Sequence, residues 1–344
     1  MTSYKVLVVG GGVAGMQTSL ELAAAGQAVT LVERSPHLGG HVAGYTRLFP
    51  SLADGRALVK DRIERITKNP LISPLVATEV SGFEITSFGF KAFLGSEGSS
   101  WTEVFQAVVL ATGYTSFDAR KYGEYGYGRY PGVITSVEFE TQFAEICRQP
   151  IKTAVFVKCV GSRDRSKGMP YCSKVCCMYT AKQAMELKSA LPTAQVYVFY
   201  MDIRSNFNHG EEFVRGVMEK QRVRYIRGRV AKVFPSQERL VVRAEDTLMG
   251  VPLEMEADLV VLATAILPDP ATATLAGQLG VSLDEYGFIA SPSLEAVSNP
   301  MSIAPGVFYA GACGFPADVR DSMAQGSAAA AGVLAYLRSI SGRE

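Results

Sequence analysis

Four of the six cysteines in this chain of 344 residues lie close enough in sequence to form one site. They are Cys159, Cys172, Cys176 and Cys177, and the last two are adjacent. Structural zinc sites prefer ligands separated by a few residues, so adjacent thiols suit a single tetrahedral ion poorly. A 4Fe–4S cluster has four iron corners, and neighbouring thiolates can each bind a different one. The spacing therefore favours a 4Fe–4S cluster over a zinc ion.

A zinc site, a redox-active dithiol and plain buried cysteines are the alternatives to a cluster. A redox dithiol of the usual kind needs a C-x-x-C pair, which this chain lacks. A helix that begins at Cys176 would lower the pKa of the thiols there and offset the negative charge of a cluster. The two other cysteines, Cys147 and Cys313, lie outside this group and are expected to be free thiols in or near the core.

A glycine-rich turn near the N-terminus predicts a binding site for a dinucleotide. An apolar strand over residues 4–9 leads into Gly10-Gly-Gly-Val-Ala-Gly15, and a helical pattern and a second strand ending at Glu33 follow. Gly10 permits the tight turn, Gly12 lets the backbone approach a pyrophosphate, and Gly15 lets the helix pack closely on the strand. The helix N-terminus then faces the phosphates, and Glu33 accepts the ribose hydroxyls.

The same order of elements occurs twice, which predicts two Rossmann-like domains with the second inserted into the first. In each half a strand, a helix and a second strand are followed by an antiparallel meander and a return strand. The first set is predicted over residues 4–9, 16–25, 28–32, 76–94 and 107–113, and the second over 153–160, 174–190, 195–203, 225–256 and 259–264. The first domain would comprise residues 1–118 and 271–344, and the inserted domain residues 119–270.

The first turn of the inserted domain lacks a phosphate-binding glycine pattern. Its sequence is Cys159-Val-Gly-Ser-Arg-Asp164, with a single glycine, and a long loop to Ser173 follows. A dinucleotide pyrophosphate needs close approach of the backbone at more than one position of such a turn. Binding of NAD(P) at the usual place is therefore not expected, and thiols occupy that position instead.

The composition excludes several classes of protein. Hydrophobic residues make up 48% of the chain and charged residues 19%, which is typical of a compact globular protein rather than a disordered one. Lys and Arg number 34 against 33 Asp and Glu, so the chain lacks the basic excess of a nucleic-acid-binding protein. No apolar stretch reaches the length of a membrane span, and the N-terminus lacks signal-peptide features, so a cytoplasmic location is expected.

Further elements resemble those of the flavoproteins with two dinucleotide-binding domains, the disulfide-reductase and thioredoxin-reductase family. These elements are Gly39-Gly40 after the second strand, a return strand ending at Gly113, a late strand ending at Gly311, and a helix expected to begin at Gln325. The resemblance implies an α/β fold, FAD at the N-terminal glycine turn, and the start of the late helix against the flavin ring. The family usually has an aspartate directly after the late glycine. Ala312 stands there in this chain, so Asp318 or Asp321 is the candidate for its contacts.

The cofactor-binding residues implied by this resemblance lie at the glycine turn, at the ends of neighbouring strands and on the late helix. They are Gly10, Gly12, Val13, Ala14, Gly15, Glu33, Arg34, Gly40, His41, Val80, Ala111, Thr112, Gly113, Gly311, Asp318, Gln325 and Gly326. All of them are expected to lie around the same FAD.

Four longer strings resemble the A-subunit family of heterodisulfide reductases. They are Lys158-Cys-Val-Gly-Ser-Arg-Asp164, Pro170-Tyr-Cys-Ser-Lys-Val-Cys-Cys-Met-Tyr179, Tyr200-Met-Asp-Ile-Arg204 and Gln325-Gly-Ser-Ala-Ala-Ala330. The resemblance implies that Cys159, Cys172, Cys176 and Cys177 are the ligands of the cluster that this family holds beside its FAD. It also implies that Lys182 points toward the flavin, whereas a solvated helix lysine is an equal alternative from the sequence alone.

The chain departs from the methanogen-type members of that family. Those subunits carry further cysteine-rich and ferredoxin domains, and cysteines after a Phe-Pro pair, whereas Phe49-Pro50 is followed here by Ser-Leu-Ala-Asp. The chain is therefore expected to correspond to the short, ferredoxin-free form in heterodisulfide-reductase-like complexes of sulfur-oxidising prokaryotes.

The expected function is electron transfer by a subunit that contains FAD and a 4Fe–4S cluster. Its expected partners are the other subunits of such a complex, a protein electron donor or acceptor, and a second copy of the chain in a homodimer. The alternatives are a self-contained disulfide or sulfur oxidoreductase that depends on NAD(P)H or ferredoxin, and a subunit in which the cofactors only stabilise the fold. Neither nucleic acid nor a membrane is an expected partner.

Overall fold

The computed structural model describes residues 4–205, 208–290 and 302–341. The chain divides into two compact units, of which unit 1 is Met1–Gly44, Asp54–Thr115 and Leu267–Glu344, and unit 2 is Tyr45–Ala53 and Ser116–Ile266. Most of unit 2 is thus an insertion into unit 1. Within the described part of the chain, every helix is too short or too polar to cross a lipid bilayer.

The segment 45–53 lies with unit 2, although its position in the chain predicted that it belongs to the first domain. Phe49 packs against the hydrophobic core of unit 2, and the Nζ of Lys182 donates to the carbonyl oxygen of Arg47 at 3.1 Å. The hydrogen bond between Lys182 and Arg47 joins residues 135 positions apart, and no local pattern around residue 49 indicates either contact.

Six strands form the central sheet of unit 1. They are β1 (Lys5–Val9), β2 (Ala28–Val32), β3 (Ile72–Leu75), β7 (Ala107–Leu110), β18 (Ser302–Ala304) and β19 (Val307–Tyr309). Their order is β18-β19-β7-β1-β2-β3, and all neighbours run parallel except β18 and β19. Every residue of β7 is buried, as is typical of a parallel strand that is covered on both faces.

The remaining elements that the structure describes in unit 1 are mainly four α-helices, a short 3-10 helix and a meander. The helices are α1 (Val13–Ala24), α2 (Gly55–Thr67), α6 (Pro270–Gln278) and α7 (Val319–Ser341), with a short 3-10 helix at Gly40–Gly44. The antiparallel meander consists of β4 (Thr78–Thr86), β5 (Gly89–Ser96) and β6 (Ser99–Phe105). It therefore extends beyond the predicted range of 76–94.

A second parallel sheet forms the centre of unit 2. Its strands are β9 (Val133–Thr135), β10 (Thr153–Val160), β11 (Gln195–Tyr200), β12 (Arg224–Arg227) and β16 (Leu259–Thr264), in the order β12-β11-β10-β16-β9. Three helices accompany it: α3 (Ser136–Ile146), α4 (Cys176–Ala190) and α5 (Gly210–Glu219). Phe156 of β10, Met178 of α4 and Val261 of β16 belong to one buried core, which fixes the start of α4 at the carboxyl end of the strands.

The other elements of unit 2 are short or lie at its edge. They are the meander of β13 (Val230–Ser236), β14 (Arg239–Asp246) and β15 (Val251–Ala257), and 3-10 helices at Ala119–Lys121, Gly123–Tyr125 and Arg165–Lys167. Two further strands, β8 (Tyr114–Ser116) and β17 (Ile266–Pro268), pair with each other where the chain leaves and re-enters unit 1.

The prediction that the late helix begins at Gln325 is wrong, because α7 begins at Val319. The Asp318 carboxylate accepts a hydrogen bond from the amide of Asp321 at 2.8 Å, and the Asp321 carboxylate accepts one from the amide of Asp318 at 3.1 Å. This reciprocal pair satisfies two amides at the start of the helix, which allows the helix to begin there. Gln325 consequently lies in the second turn of α7.

The prediction that residues 225–256 form one antiparallel meander is also wrong at its start. Residues 224–227 form β12, which pairs in parallel with β11 at the edge of the main sheet, and the meander begins at Val230. Strand order in a sheet depends on long-range pairing, so the short apolar stretch around Tyr225 did not reveal its partner.

Candidate functional site

The glycine turn after β1 leaves open space where a ligand can approach the start of α1. Gly12 is the N-cap residue of α1, and no side chain caps the helix there. A Cβ atom placed on Gly12 would meet nothing within 4 Å, whereas one on Gly15 would lie 1.9 Å from the carbonyl oxygen of Gly10. Gly15 is therefore required for close packing, and Gly12 presents backbone to an open site, as anion binding at a helix N-terminus needs. Val13 and Ala14 form the first turn of that helix.

Glu33 lies directly beside this turn. One carboxylate oxygen accepts a hydrogen bond from the amide of Gly11 at 2.7 Å, and the other accepts one from the amide of Ser35 at 2.8 Å. The loop after β2 folds back onto the same place, because a Cβ on Gly40 would lie 3.2 Å from the Cα of Gly12. Gly40 also has a φ of +54°, which favours glycine. These residues fit the pyrophosphate and the adenosine ribose of a dinucleotide.

Two other predicted FAD residues of unit 1 make contacts within the protein. Arg34 pairs with Asp269 through two hydrogen bonds of 2.6 and 3.2 Å. The His41 ring stacks on the Tyr114 ring at 4.2 Å, and its Nε2 lies 3.0 Å from the Tyr114 carbonyl oxygen. Asp269 and Tyr114 were not singled out in the sequence, since nothing in their local pattern marks them as partners of Arg34 and His41.

The predicted residues after β7 lie beyond the carboxyl end of an inner strand of the central sheet, and Val80 lies on β4 of the separate meander. The amide of Ala111 donates to the carbonyl oxygen of Val9, which continues the pairing of β7 with β1. The Thr112 hydroxyl lies 2.6 Å from the Thr272 hydroxyl, Gly113 has a φ of +77°, and Val80 is half-buried on β4. Contact of these residues with FAD stays a prediction.

The late segment packs α7 against the start of α1. The Gln325 side-chain oxygen accepts a hydrogen bond from the amide of Gly311 at 2.8 Å. A Cβ on Gly326 would lie 2.7 Å from the carbonyl oxygen of Ala14, and one on Gly311 would lie 2.9 Å from the Ala14 Cβ. Gly311, Gln325 and Gly326 therefore set the distance between the two helices. Asp318 caps α7, and its proposed contact with the ribityl chain stays a prediction.

Glu33→Gln is expected to weaken FAD binding by about 1–3 kcal/mol, or roughly 5- to 150-fold in Kd. The substitution removes the charged acceptor beside the glycine turn while keeping the size of the side chain. Glu64→Gln is the matched control, since Glu64 is an exposed glutamate on α2 of the same unit. Titration of the flavin-free protein with FAD, followed by flavin fluorescence, measures both constants. Equal affinities in the two variants would show that Glu33 does not contribute to FAD binding. Extraction of FMN as the native flavin would overturn the FAD assignment.

Three of the four predicted cluster cysteines lie together in unit 2. Cys159 near the end of β10, and Cys176 and Cys177 at the start of α4, are all buried and form one group with Ala263. The backbone of Cys159 has a φ of +61°, an uncommon conformation for a residue with a side chain. Cys172 is half-buried on the loop before α4, and its sulfur accepts a hydrogen bond from the amide of Lys174 at 3.3 Å.

Hydrogen bonds among the thiols separate their acidities. Hydrogen bonding with Cys176 is the largest influence that lowers the pKa of Cys177, to about 5, and Lys158 lowers it further. The same interaction with Cys176 lowers the pKa of Cys159, while Cys176 itself has a pKa raised well above that of an ordinary thiol. Hydrogen bonding with Cys176 thus lowers the pKa of both of its partners, and the thiolate is the form that binds metal.

Positive charge and amide donors surround the thiols. The Nζ of Lys158 donates to the carbonyl oxygen of Asp202 at 3.1 Å, and the guanidinium of Arg163 pairs with the Asp202 carboxylate at 2.6 Å. The amide of Arg204 donates to the Cys177 sulfur at 3.3 Å. Arg163 also interacts electrostatically with both Cys159 and Cys172.

The donor set suits a 4Fe–4S cluster in type, burial and charge. Four thiols come from one strand end, one loop and one helix start, and cations and amides are present to compensate a negative cluster. Among the residues that the structure describes, no group of three or more His, Cys, Asp or Glu side chains is arranged to hold a single metal ion. Ligation of a cluster by these four cysteines stays a prediction.

The turn that carries Cys159 differs from the glycine turn of unit 1 in one decisive respect. A Cβ placed on Gly161, its single glycine, would lie 2.5 Å from the ring of Phe117. The backbone that could approach a pyrophosphate is thus covered by a side chain, whereas Gly12 is open. This arrangement supports the prediction that NAD(P) does not bind at that turn.

Lys182 is buried in unit 2, with only 3% of its side chain exposed, so the alternative of a solvated lysine is wrong. Its Nζ lies 2.5 Å from a carboxylate oxygen of Glu140 on α3 and 3.6 Å from one of Glu186. Burial raises the pKa of Glu186. The spacing of Lys182 and Glu186 on one helix is visible in the sequence, but no sequence signal indicates Glu140. A contact of Lys182 with the flavin stays a prediction.

The two remaining cysteines lie apart from the thiol group. Cys313 is buried in unit 1, where its thiol donates to the carbonyl oxygen of Leu110 at 3.3 Å and burial raises its pKa to about 11. Cys147 is half-buried at the end of α3. Neither thiol is activated by its surroundings, since burial also raises the pKa of Cys147.

Comparison with known proteins relates these features to two groups. Residues 4–146 match the family described as pyridine nucleotide-disulphide oxidoreductase. The chain is 31% identical to the iron-sulfur A subunit of the CoB–CoM heterodisulfide reductase of Methanocaldococcus jannaschii. It is 30% identical to the A subunit of the H(2):CoB-CoM heterodisulfide,ferredoxin reductase of Methanothermobacter marburgensis. Each alignment covers 95% of this chain and 63% of the relative, so the chain spans less than two thirds of their length.

The fold is similar to that of solved thioredoxin reductases. The TM-score with the enzyme from T. acidophilum is 0.69 at 21% sequence identity, and the match covers 98% of this chain and 99% of that chain. The TM-score with the Lactococcus lactis enzyme is 0.66 at 17% identity, with the same coverage. The predicted resemblance to the heterodisulfide reductase A subunits and the predicted fold class of two-dinucleotide-binding-domain flavoproteins are confirmed.

Proposed function

We propose that this homologue of the heterodisulfide reductase A subunits is an electron-transfer subunit that holds FAD in unit 1 and a 4Fe–4S cluster in unit 2. The observation that carries the proposal is the contrast between the two corresponding turns. In unit 1 the turn presents the open backbone of Gly12 beside Glu33, and in unit 2 it presents buried thiols and a covered Gly161. When bound, FAD exchanges electrons in pairs and the cluster transfers them one at a time.

The residues of the chain bind and tune these groups in the proposal. The amides at the start of α1 and the Glu33 carboxylate bind the dinucleotide, and four cysteines bind the cluster. Lys158 and Arg163 compensate its negative charge, and the amide of Arg204 donates to one of its sulfur ligands. Charge and hydrogen bonding at the sulfurs are the means by which a protein sets the potential of a cluster.

The proposed partners are the other subunits of a heterodisulfide-reductase-like complex. The relatives named above are A subunits of heterodisulfide reductases, which supports a place in a complex with a protein electron donor or acceptor. We propose that the complex serves sulfur oxidation, since the stretch after Phe49-Pro50 differs from that of the methanogen-type subunits. A cytoplasmic location is part of the same proposal. A homodimer of this chain is part of the same proposal.

Anaerobic purification is expected to yield a protein with about one FAD and about four iron and four acid-labile sulfide atoms per chain. Iron and sulfide assays, together with identification of the extracted flavin, measure this stoichiometry. A reductive titration with dithionite is then expected to bleach both the flavin and the cluster absorbance. Protein that binds FAD but takes up no iron after anaerobic reconstitution would overturn the assignment of the cluster.

NADH and NADPH are not expected to reduce the flavin directly at a useful rate. The Phe117 ring covers the single glycine of the second turn, and the negative charge of a bound cluster would repel a pyrophosphate there. Anaerobic stopped-flow mixing with each nucleotide, monitored at the flavin absorbance, tests this expectation. Rapid stoichiometric bleaching would favour the second candidate function, a self-contained NAD(P)H-dependent oxidoreductase, for which the fold of the thioredoxin reductases is the supporting observation.

A further inference from the structure

The hydroxyl group of Tyr225 is buried and has no hydrogen-bond partner among the residues that the structure describes. A hydroxyl removed from water without a partner is costly, and most such groups in native proteins are satisfied by protein, water or a ligand. An orphaned phenol in the interior of unit 2 therefore indicates a missing acceptor.

Tyr225 is connected to the thiol group of Cys159, Cys176 and Cys177 through the end of β11. Tyr225 lies on β12 opposite Val198 of β11, and its ring meets the Tyr200 ring edge-on at a centroid distance of 5.9 Å. The next residue after Tyr200 is Met201, which packs against the thiol group. Tyr200 therefore contacts the Tyr225 ring, and the residue after it contacts the thiol group.

A chain of contacts continues from Tyr200 to Cys177. The Nζ of Lys158 lies 5.6 Å from the centre of the Tyr200 ring and donates to the carbonyl oxygen of Asp202. The Cys177 thiol lies 3.9 Å from the same oxygen. Tyr225 itself packs against the buried core that contains Met178, the residue directly after Cys177 on α4.

The Tyr225 phenol stays protonated in this region. Burial raises the pKa of Tyr225 strongly, and the negative charge of a Cys177 thiolate raises it further. A neutral phenol can donate one hydrogen bond, and Cys177 is the charged group that acts on Tyr225 electrostatically.

We propose that the Tyr225 hydroxyl donates a hydrogen bond to a sulfur of the cluster bound at Cys177, and that it thereby raises the reduction potential of that cluster. The inference rests on the proposed function, since it requires the cluster to be present. A hydrogen bond to sulfur stabilises the reduced cluster more than the oxidised one, because the reduced cluster carries one more negative charge. Tyr225 is thus a positioning and tuning residue and not a ligand.

Tyr225→Phe removes only the hydroxyl and keeps the ring contact with Tyr200. Tyr197→Phe is the matched control on β11, because it also removes a single phenol hydroxyl, one that accepts a hydrogen bond from exposed Arg224 at 2.8 Å. The wild-type protein and both variants are purified anaerobically and assayed for iron. The midpoint potential of the cluster is then measured in each by a redox titration followed by EPR.

The expected result is equal iron content in all three proteins and a more negative midpoint potential in Tyr225→Phe alone. Equal iron with the same potential in Tyr225→Phe and the wild type would overturn this inference and leave the proposed function standing. A shift of the same size in Tyr197→Phe would also overturn it, because the effect would then not depend on the buried hydroxyl. Absence of iron from the wild-type protein after reconstitution would overturn the proposed function itself, and the inference with it.

Discussion

Serine in place of any one of Cys159, Cys172, Cys176 or Cys177 is expected to lower the iron content sharply or to convert the cluster to a 3Fe form. A serine oxygen is a hard donor and replaces a thiolate poorly at iron. The loss is expected to be largest at Cys176 and Cys177, which are buried and adjacent at the start of α4. Retention of part of the iron in one of the four variants is compatible with the prediction.

Cys147→Ser is the matched control for this series. Cys147 is a half-buried cysteine of the same unit that lies outside the thiol group. Iron and sulfide assays and the EPR spectrum of the reduced protein are measured for all five variants after identical anaerobic reconstitution. Unchanged iron in all four ligand variants would eliminate the cluster at this site, and equal losses in Cys147→Ser would show a general effect on folding.

Lys182→Met is expected to destabilise the protein by about 3–5 kcal/mol. Its ammonium is buried against Glu140 and also holds the carbonyl oxygen of Arg47, so its removal leaves a buried carboxylate without its cation. The double variant Lys182→Met/Glu140→Gln is expected to recover much of the loss, because the unpaired charge is then removed as well. Unfolding by urea, followed by circular dichroism, measures the differences in the free energy of unfolding.

Lys220→Met is the control, since Lys220 is an exposed lysine at the end of α5 in the same unit. Its substitution is expected to change the free energy of unfolding by less than about 0.5 kcal/mol. A Lys182→Met protein that is as stable as the control, but whose flavin is reduced at a different potential, would contradict a structural role. It would instead favour the role beside the flavin that the family resemblance implies.

The sequence alone predicted the features that depend on residues close together in the chain. The strand from Ala28 to Val32 lies where its apolar run predicts it, and the glycine turn before α1 has the geometry that each of its glycines requires. The cysteine spacing predicted that a strand end and a helix start would bring thiols together, and three of the four lie in one buried group. These features were readable because turn, helix and strand signals extend over only a few residues.

Only the tertiary structure decided which distant residues became partners. Glu140 meets Lys182 across two helices, Phe117 covers Gly161, and the segment 45–53 packs with unit 2. The partners in each pair are far apart in the chain and follow no helical or strand periodicity. A short stretch of sequence therefore cannot predict them.

At two places the sequence was compatible with more than one local structure, and only the tertiary structure showed which one forms. The late helix begins at Val319 because Asp318 and Asp321 satisfy each other's amides, although the string at Gln325 is the more conspicuous one. The stretch around Tyr225 joins the parallel sheet and not the meander, and its hydroxyl is buried there without a hydrogen-bond partner among the described residues. The sequence thus determines which chemical groups are present, whereas folding determines which of them are buried together. Burial matters because electrostatic interactions and hydrogen bonds are stronger where water is excluded.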